Sequence, residues 1–209
     1  MLMIAKEGNI ILIPSILLSL VITLIYGLGF TTIFLWLFVI FSLYFFRDPI
    51  RIIKAKSNQM VSPADGKIVQ IINTIDDNMG ECKLISIYLN LFNVHRQRVP
   101  LTGKVISYFY NPGKFHLAFK DKASMYNEQT TTMFETDKGN TYKVKQIAGA
   151  LARRIVNYMT PNKKVNRGQK FGFIRFGSRV DIIVPYDFKI DVKVGDKVKN
   201  NINIIGTFK

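Results

Sequence analysis

The 209-residue chain has one cysteine, Cys82, and two histidines, His95 and His116. A single thiol excludes an internal disulfide and fits a reducing compartment. So small a stock of sulfur and imidazole also argues against a cysteine-based zinc site, and no metal is expected. Acidic residues are scarce: 14 Asp and Glu stand against 29 Lys and Arg, a net charge of +15. The excess is spread as single Lys and Arg residues without a long basic tail, so charge alone suits nucleic acid and anionic lipid about equally. No Gly-x-Ser-x-Gly elbow is present, which weakens a serine-hydrolase reading. No repeat or low-complexity segment occurs outside the apolar N-terminus. Apolar residues, in contrast, are plentiful at 48%, enough to bury a core. The length allows one medium domain, or a membrane segment plus one compact domain.

Two uncharged runs open the chain, Ile10 to Tyr26 and Phe30 to Phe46, separated by Gly27-Leu28-Gly29. As one helix the 37-residue stretch would be about 55 Å long, far more than a bilayer core requires. The glycine break therefore predicts a helical hairpin with arms of 17 residues, roughly 25 Å each. That length is at the short end for a span, so spanning and monotopic anchors both stay open. A cleaved signal peptide fits poorly, because Lys6 and Glu7 nearly cancel and a second apolar run follows at once. Arg47, Arg51, Lys54 and Lys56 flank the second arm, and the positive-inside rule puts that flank in the cytoplasm. Both ends of the hairpin, and everything after it, are then cytoplasmic. Tyr44, Phe45 and Phe46 read either as interfacial aromatic anchors or as ordinary lipid-facing residues.

Residues 1–56 are thus expected to form a membrane-anchoring hairpin with a basic flank, and residues 57–209 a separate domain. Arg47-Asp48-Pro49 ends the second helix, since proline disfavours helix in the residue before it. Beyond the linker the pattern becomes short runs rich in Val, Ile, Thr, Tyr and Phe. Strands are expected at Ile68 to Ile72, Leu84 to Leu89, Val105 to Tyr110, Thr130 to Thr136, Tyr142 to Ile147, Phe171 to Phe176 and Val180 to Val184. Glycines 66, 80, 103, 113, 139, 168 and 195 fall at the expected turns. Ala150 to Met159 is the one helical candidate. The fold class is therefore a mostly β (α+β) domain behind an N-terminal hydrophobic helical hairpin. A basic domain rich in aromatics can describe a single-strand nucleic-acid binder. Here the aromatics sit in strand runs at core-like spacing, and no nucleic-acid partner is expected.

Four segments carry candidate chemistry. In Phe176-Gly177-Ser178-Arg179 the plain reading is a β-turn. The sharper one has the Ser178 hydroxyl attack the carbonyl of Gly177, whose missing Cβ permits unusual dihedrals and close approach. An N-to-O acyl shift followed by elimination would split the chain between 177 and 178 and leave a pyruvoyl group in place of Ser178. Such self-catalysis needs a base and an oxyanion donor. Ser62-Pro63-Ala64-Asp65-Gly66 has good turn chemistry, and Asp65 is either a solvated turn acid or a base, or the orienter of one. Asn93-Val94-His95-Arg96-Gln97-Arg98 supplies the histidine suited to proton transfer near neutrality. Its arginine neighbours favour the neutral ring and could hold phosphate or carboxylate. The stretch from Gly113 to Glu128 is long for a hairpin loop, a feature that often accompanies function. His116 within it reads as a surface residue.

Together these segments resemble the short-form phosphatidylserine decarboxylase proenzymes of bacteria and archaea. The likeness runs through Ser62-Pro-Ala-Asp-Gly-Lys, Asn93-Val-His-Arg-Gln-Arg-Val-Pro, Gly113-Lys-Phe with Asp121-Lys-Ala-Ser and Asn127-Glu128, and Phe176-Gly-Ser-Arg-Val-Asp. It covers nearly all of residues 57 to 209. It implies self-cleavage at Gly177-Ser178 into chains 1–177 and 178–209, with Ser178 becoming a covalent pyruvoyl cofactor. The ketone would form a Schiff base with the amine of phosphatidylserine and act as electron sink while carbon dioxide leaves, giving phosphatidylethanolamine. Asp65 and His95 match positions used for self-cleavage and proton transfer. Arg98 stands where long-form relatives carry a second histidine, so His95 serving both steps and a more direct role for Asp65 are both open. Gln129 stands where many relatives have arginine. The implied partners are phosphatidylserine, anionic membrane lipids and the chain's own two fragments; a homodimer is compatible. Two other classes compete: a membrane-anchored serine hydrolase that keeps Ser178 intact, and a non-catalytic basic membrane-binding module.

Overall fold

The structure, a computed structural model, describes residues 2–113, 127–149, 155–175 and 178–209. The chain divides into two compact units, Met1–Ile50 and Arg51–Lys209.

The first unit holds strand β1 (Leu2–Ile4), a short 3-10 turn (Lys6–Gly8), helices α1 (Asn9–Tyr26) and α2 (Phe30–Phe45), and strand β2 (Arg47–Pro49), antiparallel to β1. The expected hairpin is thus present, with its break at Gly27, whose φ of 70° favours glycine. Polar side chains inside α1 turn back onto their own helix: Ser15, Ser19 and Thr23 donate to the carbonyls of Ile11, Ser15 and Ser19. Trp36 Nε1 donates to Thr23 Oγ1 at 3.1 Å and ties the two helices. The outward faces are apolar, with Leu24, Leu28 and Phe30 almost fully exposed. The Lys6–Tyr26 segment is long and apolar enough to cross a membrane, while Phe30–Phe45 is shorter. This apolar surface fits membrane association. Phe45 and Phe46 are buried and stacked edge to face, so neither is an interfacial anchor or a lipid-facing side chain. Tyr44 alone of the three is exposed, and it carries the Arg47 guanidinium 3.9 Å above its ring.

The second unit is built from β3 (Gln59–Val61), β4 (Gly66–Asp76), β5 (Gly80–Leu89), β6 (Arg96–Arg98), β7 (Gly103–Asn111), β8 (Gln129–Thr136), β9 (Thr141–Ala148), β10 (Ile155–Asn157), β11 (Lys164–Val165), β12 (Lys170–Ile174), β13 (Ser178–Pro185), β14 (Lys189–Ile190), β15 (Lys197–Val198) and β16 (Ile204–Thr207). Eight strands form one antiparallel sheet in the order β11-β7-β8-β9-β13-β5-β4-β15. Two three-stranded sheets, β10-β12-β6 and β14-β16-β3, complete the unit. All seven expected strands are present. The helix expected at Ala150 to Met159 is not: its first five residues lie outside the described residues, and Ile155–Asn157 is strand β10 paired with β12. Ile155 and Val156 are β-branched, and sheet pairing outweighs the helical spacing there.

Period-2 alternation on β13 puts Val180, Ile182 and Val184 into the core, with Ile85, Ile87 and Leu89 of β5 and Val144 and Ala148 of β9 beside them. Phe134, Tyr142 and Phe171 fill the centre of this core, as their strand spacing predicts. Phe92, Phe109 and Tyr110 depart from that reading and are exposed. Gly66 and Gly103 open strands instead of turning them. A Cβ on Gly66 would lie 2.3 Å from the Tyr88 carbonyl oxygen, so glycine is needed there for close approach.

Candidate active site

Ser178 is the first residue of β13, a strand hydrogen-bonded on both sides. Its register partners are Leu89 at the end of β5 and Ala148 at the end of β9. The side chain is fully buried, and its Oγ has no hydrogen-bond partner among the described residues. A buried hydroxyl without a partner costs about 1–3 kcal/mol, so such an atom calls for a functional explanation. Gly177, the residue predicted to be cut from Ser178, lies outside the described residues, as do Phe176 and most of the Gly113 to Glu128 segment with His116.

The topology brings His95 to the same place. It follows the turn Asn90–Asn93, which starts one residue after Leu89, the β5 partner of Ser178. Four residues before Ser178, the Ile174 amide donates to the His95 carbonyl at 3.4 Å. The imidazole is fully buried, 6.4 Å from the Phe173 ring. Nδ1 lies 2.9 Å from the Asn93 carbonyl oxygen, which can only accept; Nδ1 therefore carries the proton and Nε2 is the basic nitrogen of the neutral ring.

A polar network behind His95 fixes its backbone. Gln97 Nε2 donates to the His95 carbonyl at 2.8 Å, and Gln97 Oε1 accepts from Gln146 Nε2 at 2.9 Å. Gln146 Oε1 accepts from Thr130 Oγ1 and Asn157 Nδ2. Gly172 permits this approach, since a Cβ there would meet the Val156 carbonyl at 2.3 Å and Gln146 Nε2 at 2.5 Å. Arg96 is buried against Phe173 and Tyr158 and donates to the Gly172 carbonyl. Its guanidinium is a packing element, not the surface anion holder its sequence position suggests. Half-buried Arg98 donates to the Gly168 carbonyl.

Asp65 is buried, and both its oxygens are engaged. Arg51 grips it through both terminal nitrogens, one at 2.7 Å, and the Asn200 amide donates to Oδ1 at 2.9 Å. Asn200 Nδ2 in turn donates to the Arg96 carbonyl, the residue after His95. The carboxylate is thereby built into the wall beside β6. Arg51, assigned from the sequence to a lipid-facing basic flank, is spent on this ion pair, and its side chain is only 11% exposed. Asn127 and Glu128 join the site from the opposite side: Asn127 Nδ2 donates to the Ala148 carbonyl at 2.6 Å, and the Ala148 amide donates to the Glu128 carbonyl. Tyr110 donates to the Glu128 carboxylate, and its phenol is held above its ordinary pKa by partial burial and by that charge.

Ser178, His95 and Asp65 thus converge from three separate motifs on one end of the large sheet. Arg51, Asn200, Gln97 and Gln146 were invisible to sequence reasoning because each acts across a long stretch of chain. Only Gln97 lay inside a recognised motif. Among the described residues, no group of three or more His, Cys, Asp or Glu side chains could hold a metal ion.

A buried serine at the start of a central strand, beside a buried histidine and an engaged aspartate, defines a site built around one hydroxyl. The family model for phosphatidylserine decarboxylase matches residues 38–206. A phosphatidylserine decarboxylase proenzyme of Desulfotalea psychrophila is 40% identical over 208 residues, covering 97% of this chain and 95% of the relative. One from Burkholderia ambifaria is 42% identical over 203 residues (97% and 94%), and one from Paraburkholderia phymatum 41% identical over 203 residues (97% and 95%). The chain belongs to the phosphatidylserine decarboxylase family.

Proposed function

We propose that this chain cuts itself between Gly177 and Ser178 and, so processed, decarboxylates phosphatidylserine to phosphatidylethanolamine at a membrane surface. The observation that carries the reading is the buried Ser178 Oγ with no hydrogen-bond partner among the described residues, at the head of a strand pinned on both edges. A hydroxyl without a competing hydrogen bond keeps its lone pairs for attack. His95 Nε2 is the base that takes the hydroxyl proton as Oγ bonds to the Gly177 carbonyl carbon. The Gly177–Ser178 C–N bond then breaks and returns a proton to nitrogen, leaving an ester. Loss of the Ser178 Cα proton and cleavage of the Cβ–O bond release a carboxylate at Gly177. Addition of water and departure of ammonia convert residue 178 into the pyruvoyl group.

The fold fits such a group. Residues 178–209 stay bound to residues 1–177 after the cut, because β13 pairs with β5 and β9, β15 with β4, and β16 with β3. The new chain start is therefore held where Ser178 was. The pyruvoyl carbonyl supplies an electrophile for the substrate amine and an electron sink for the bond lost with carbon dioxide. His95, buried and oriented by the Asn93 carbonyl, holds the proton to be delivered in place of carbon dioxide. Asp65, both oxygens occupied, positions the His95 segment through Asn200 and the Arg96 carbonyl and does not itself act as base.

The apolar hairpin tethers the catalytic unit to the membrane and raises its effective concentration at the lipid. Arg47, Lys54 and Lys56 support the cytoplasmic face as its location. The test is intact mass of the protein purified from membranes. Two chains are expected, with the 178–209 fragment lighter by one ammonia than a serine-started peptide. Ser178→Ala should remain one chain and lack decarboxylase activity. An active preparation containing only the uncut chain would overturn the reading.

A further inference from the structure

Beside the candidate active site, on the same unit, a cleft of about 660 Å³ opens at the β4–β15 edge of the large sheet. It shares Asp65 and the Asn90–Asn93 turn with that site, but its other lining is of a different kind. Lys67 and Lys197 are direct register partners across β4 and β15, and Lys199 lies two residues on, on the same face as Lys197. All three are exposed and have no ion pair among the described residues. Like charges placed directly opposite on antiparallel strands repel, so the folded protein carries a cost here that a bound anion would remove. The one carboxylate in the cleft wall, Asp65, is already neutralised by Arg51. Two large apolar side chains line the same cleft and face water: Phe92 at 65% exposure and Ile202 at 52%. Phe92 is presented by a rigid turn, since its amide donates to Asn90 Oδ1 and the Asn90 amide donates to Asn93 Oδ1.

Exposed apolar tips beside unneutralised lysines are the two halves of an interfacial lipid contact. We propose that this cleft docks on an anionic phospholipid surface. Lys67, Lys197 and Lys199 meet headgroup phosphates, and Phe92 and Ile202 enter the headgroup layer. The cleft shares a wall with the Asp65 region, so docking brings the proposed lipid-decarboxylating site to the surface where its substrate lies. The biological purpose rests on the reading given under Proposed function; the docking itself does not.

The test uses the full chain with Ile202→Cys carrying an environment-sensitive fluorophore. Cys82 does not compete for label, because it is buried and burial, with Asp76 adding to it, pushes its thiol pKa up. The protein is reconstituted into phosphatidylcholine vesicles with and without phosphatidylglycerol, an anionic lipid it does not consume. A blue-shifted emission is expected only in the anionic vesicles, weakening as salt is raised. Each lysine near the surface contributes about fivefold to docking, so the Lys67→Ala/Lys197→Ala/Lys199→Ala variant should lose roughly a hundredfold. Those residues are exposed, and the variant should keep the parent's melting temperature. Equal emission in neutral and anionic vesicles, retention of the shift in the triple variant, or the same shift from soluble glycerophosphate without vesicles would each overturn the proposal. Repeating the measurement with Ser178→Ala separates the two ideas: the shift should persist there although that variant has neither cleavage nor turnover.

Discussion

Arg179 follows Ser178 on β13 and points to the opposite face of the sheet, where it meets Asp181 two residues on. Nε donates to Asp181 Oδ1 at 2.6 Å, and a terminal nitrogen donates to Ser86 Oγ at 2.6 Å and Gln70 Oε1 at 2.9 Å. The two side chains are only 4% and 1% exposed. Removing one member of such a pair leaves a buried charge without its counterion, at a cost of about 3–5 kcal/mol. For a unit of this size each kcal/mol lowers the melting temperature by about 2–4 °C. Asp181→Ala should therefore melt about 6–20 °C below its parent. The double variant Arg179→Met/Asp181→Leu, which removes both charges and keeps apolar volume, should recover most of that loss. The residual deficit comes from Ser86, which is buried and loses a partner worth about 1 kcal/mol. Circular dichroism melts of the detergent-solubilised protein, on a Ser178→Ala background so that a single chain unfolds, give all three values. A loss below about 1 kcal/mol for Asp181→Ala, or a double variant worse than the single, would refute the reasoning.

Two further perturbations probe the same unit. The Asp76 carboxyl is pushed up by burial, but hydrogen bonds from Lys143 and from the Asn78 and Met79 amides outweigh this and hold its pKa below the ordinary value. A depressed folded pKa contributes stability above the unfolded pKa, and that contribution is lost as pH falls through the folded value. Lys143→Met should thus cost about 1.5–3 kcal/mol near neutrality, and the gap to the parent should close in acid; denaturant melts across pH decide it, and a pH-independent gap would be the wrong outcome. Gly172→Ala would drive a methyl into the Val156 carbonyl and Gln146, at about 1–3 kcal/mol of strain. Because Gln146 and Gln97 hold the His95 carbonyl, its cleavage into two chains should be slowed, as followed by gel electrophoresis after synthesis; cleavage at the parent's rate would detach this network from the site.

The strands were legible because each carries its own signal. Runs such as Leu84 to Leu89 and Val180 to Val184 are β-branched and bounded by turn residues, and a local pattern needs no knowledge of its partners. The hairpin was legible for the same reason, since two uncharged runs around Gly27-Leu28-Gly29 are a local property. The Ala150 to Met159 stretch misled where described, because Ile155–Asn157 is recruited by β12, a partner that no local window contains. Phe45 and Phe46 misled likewise: apolar residues at a helix end look alike in sequence whether they meet lipid or each other.

The sequence by itself therefore determined the division into an apolar hairpin and a β-rich domain, the positions of the main strands, and the motif residues Asp65, His95 and Ser178. These depend on residue type and short spacing. Only the tertiary structure decided that Ser178 starts a strand paired on both edges, that its hydroxyl is buried with no hydrogen-bond partner among the described residues, and that Asp65 is held by Arg51 and Asn200. Those facts arise from pairings between residues up to 135 positions apart, as between Asp65 and Asn200. Burial and hydrogen-bond partnership are properties of such pairings, set by sheet register and packing, and a linear pattern does not contain them.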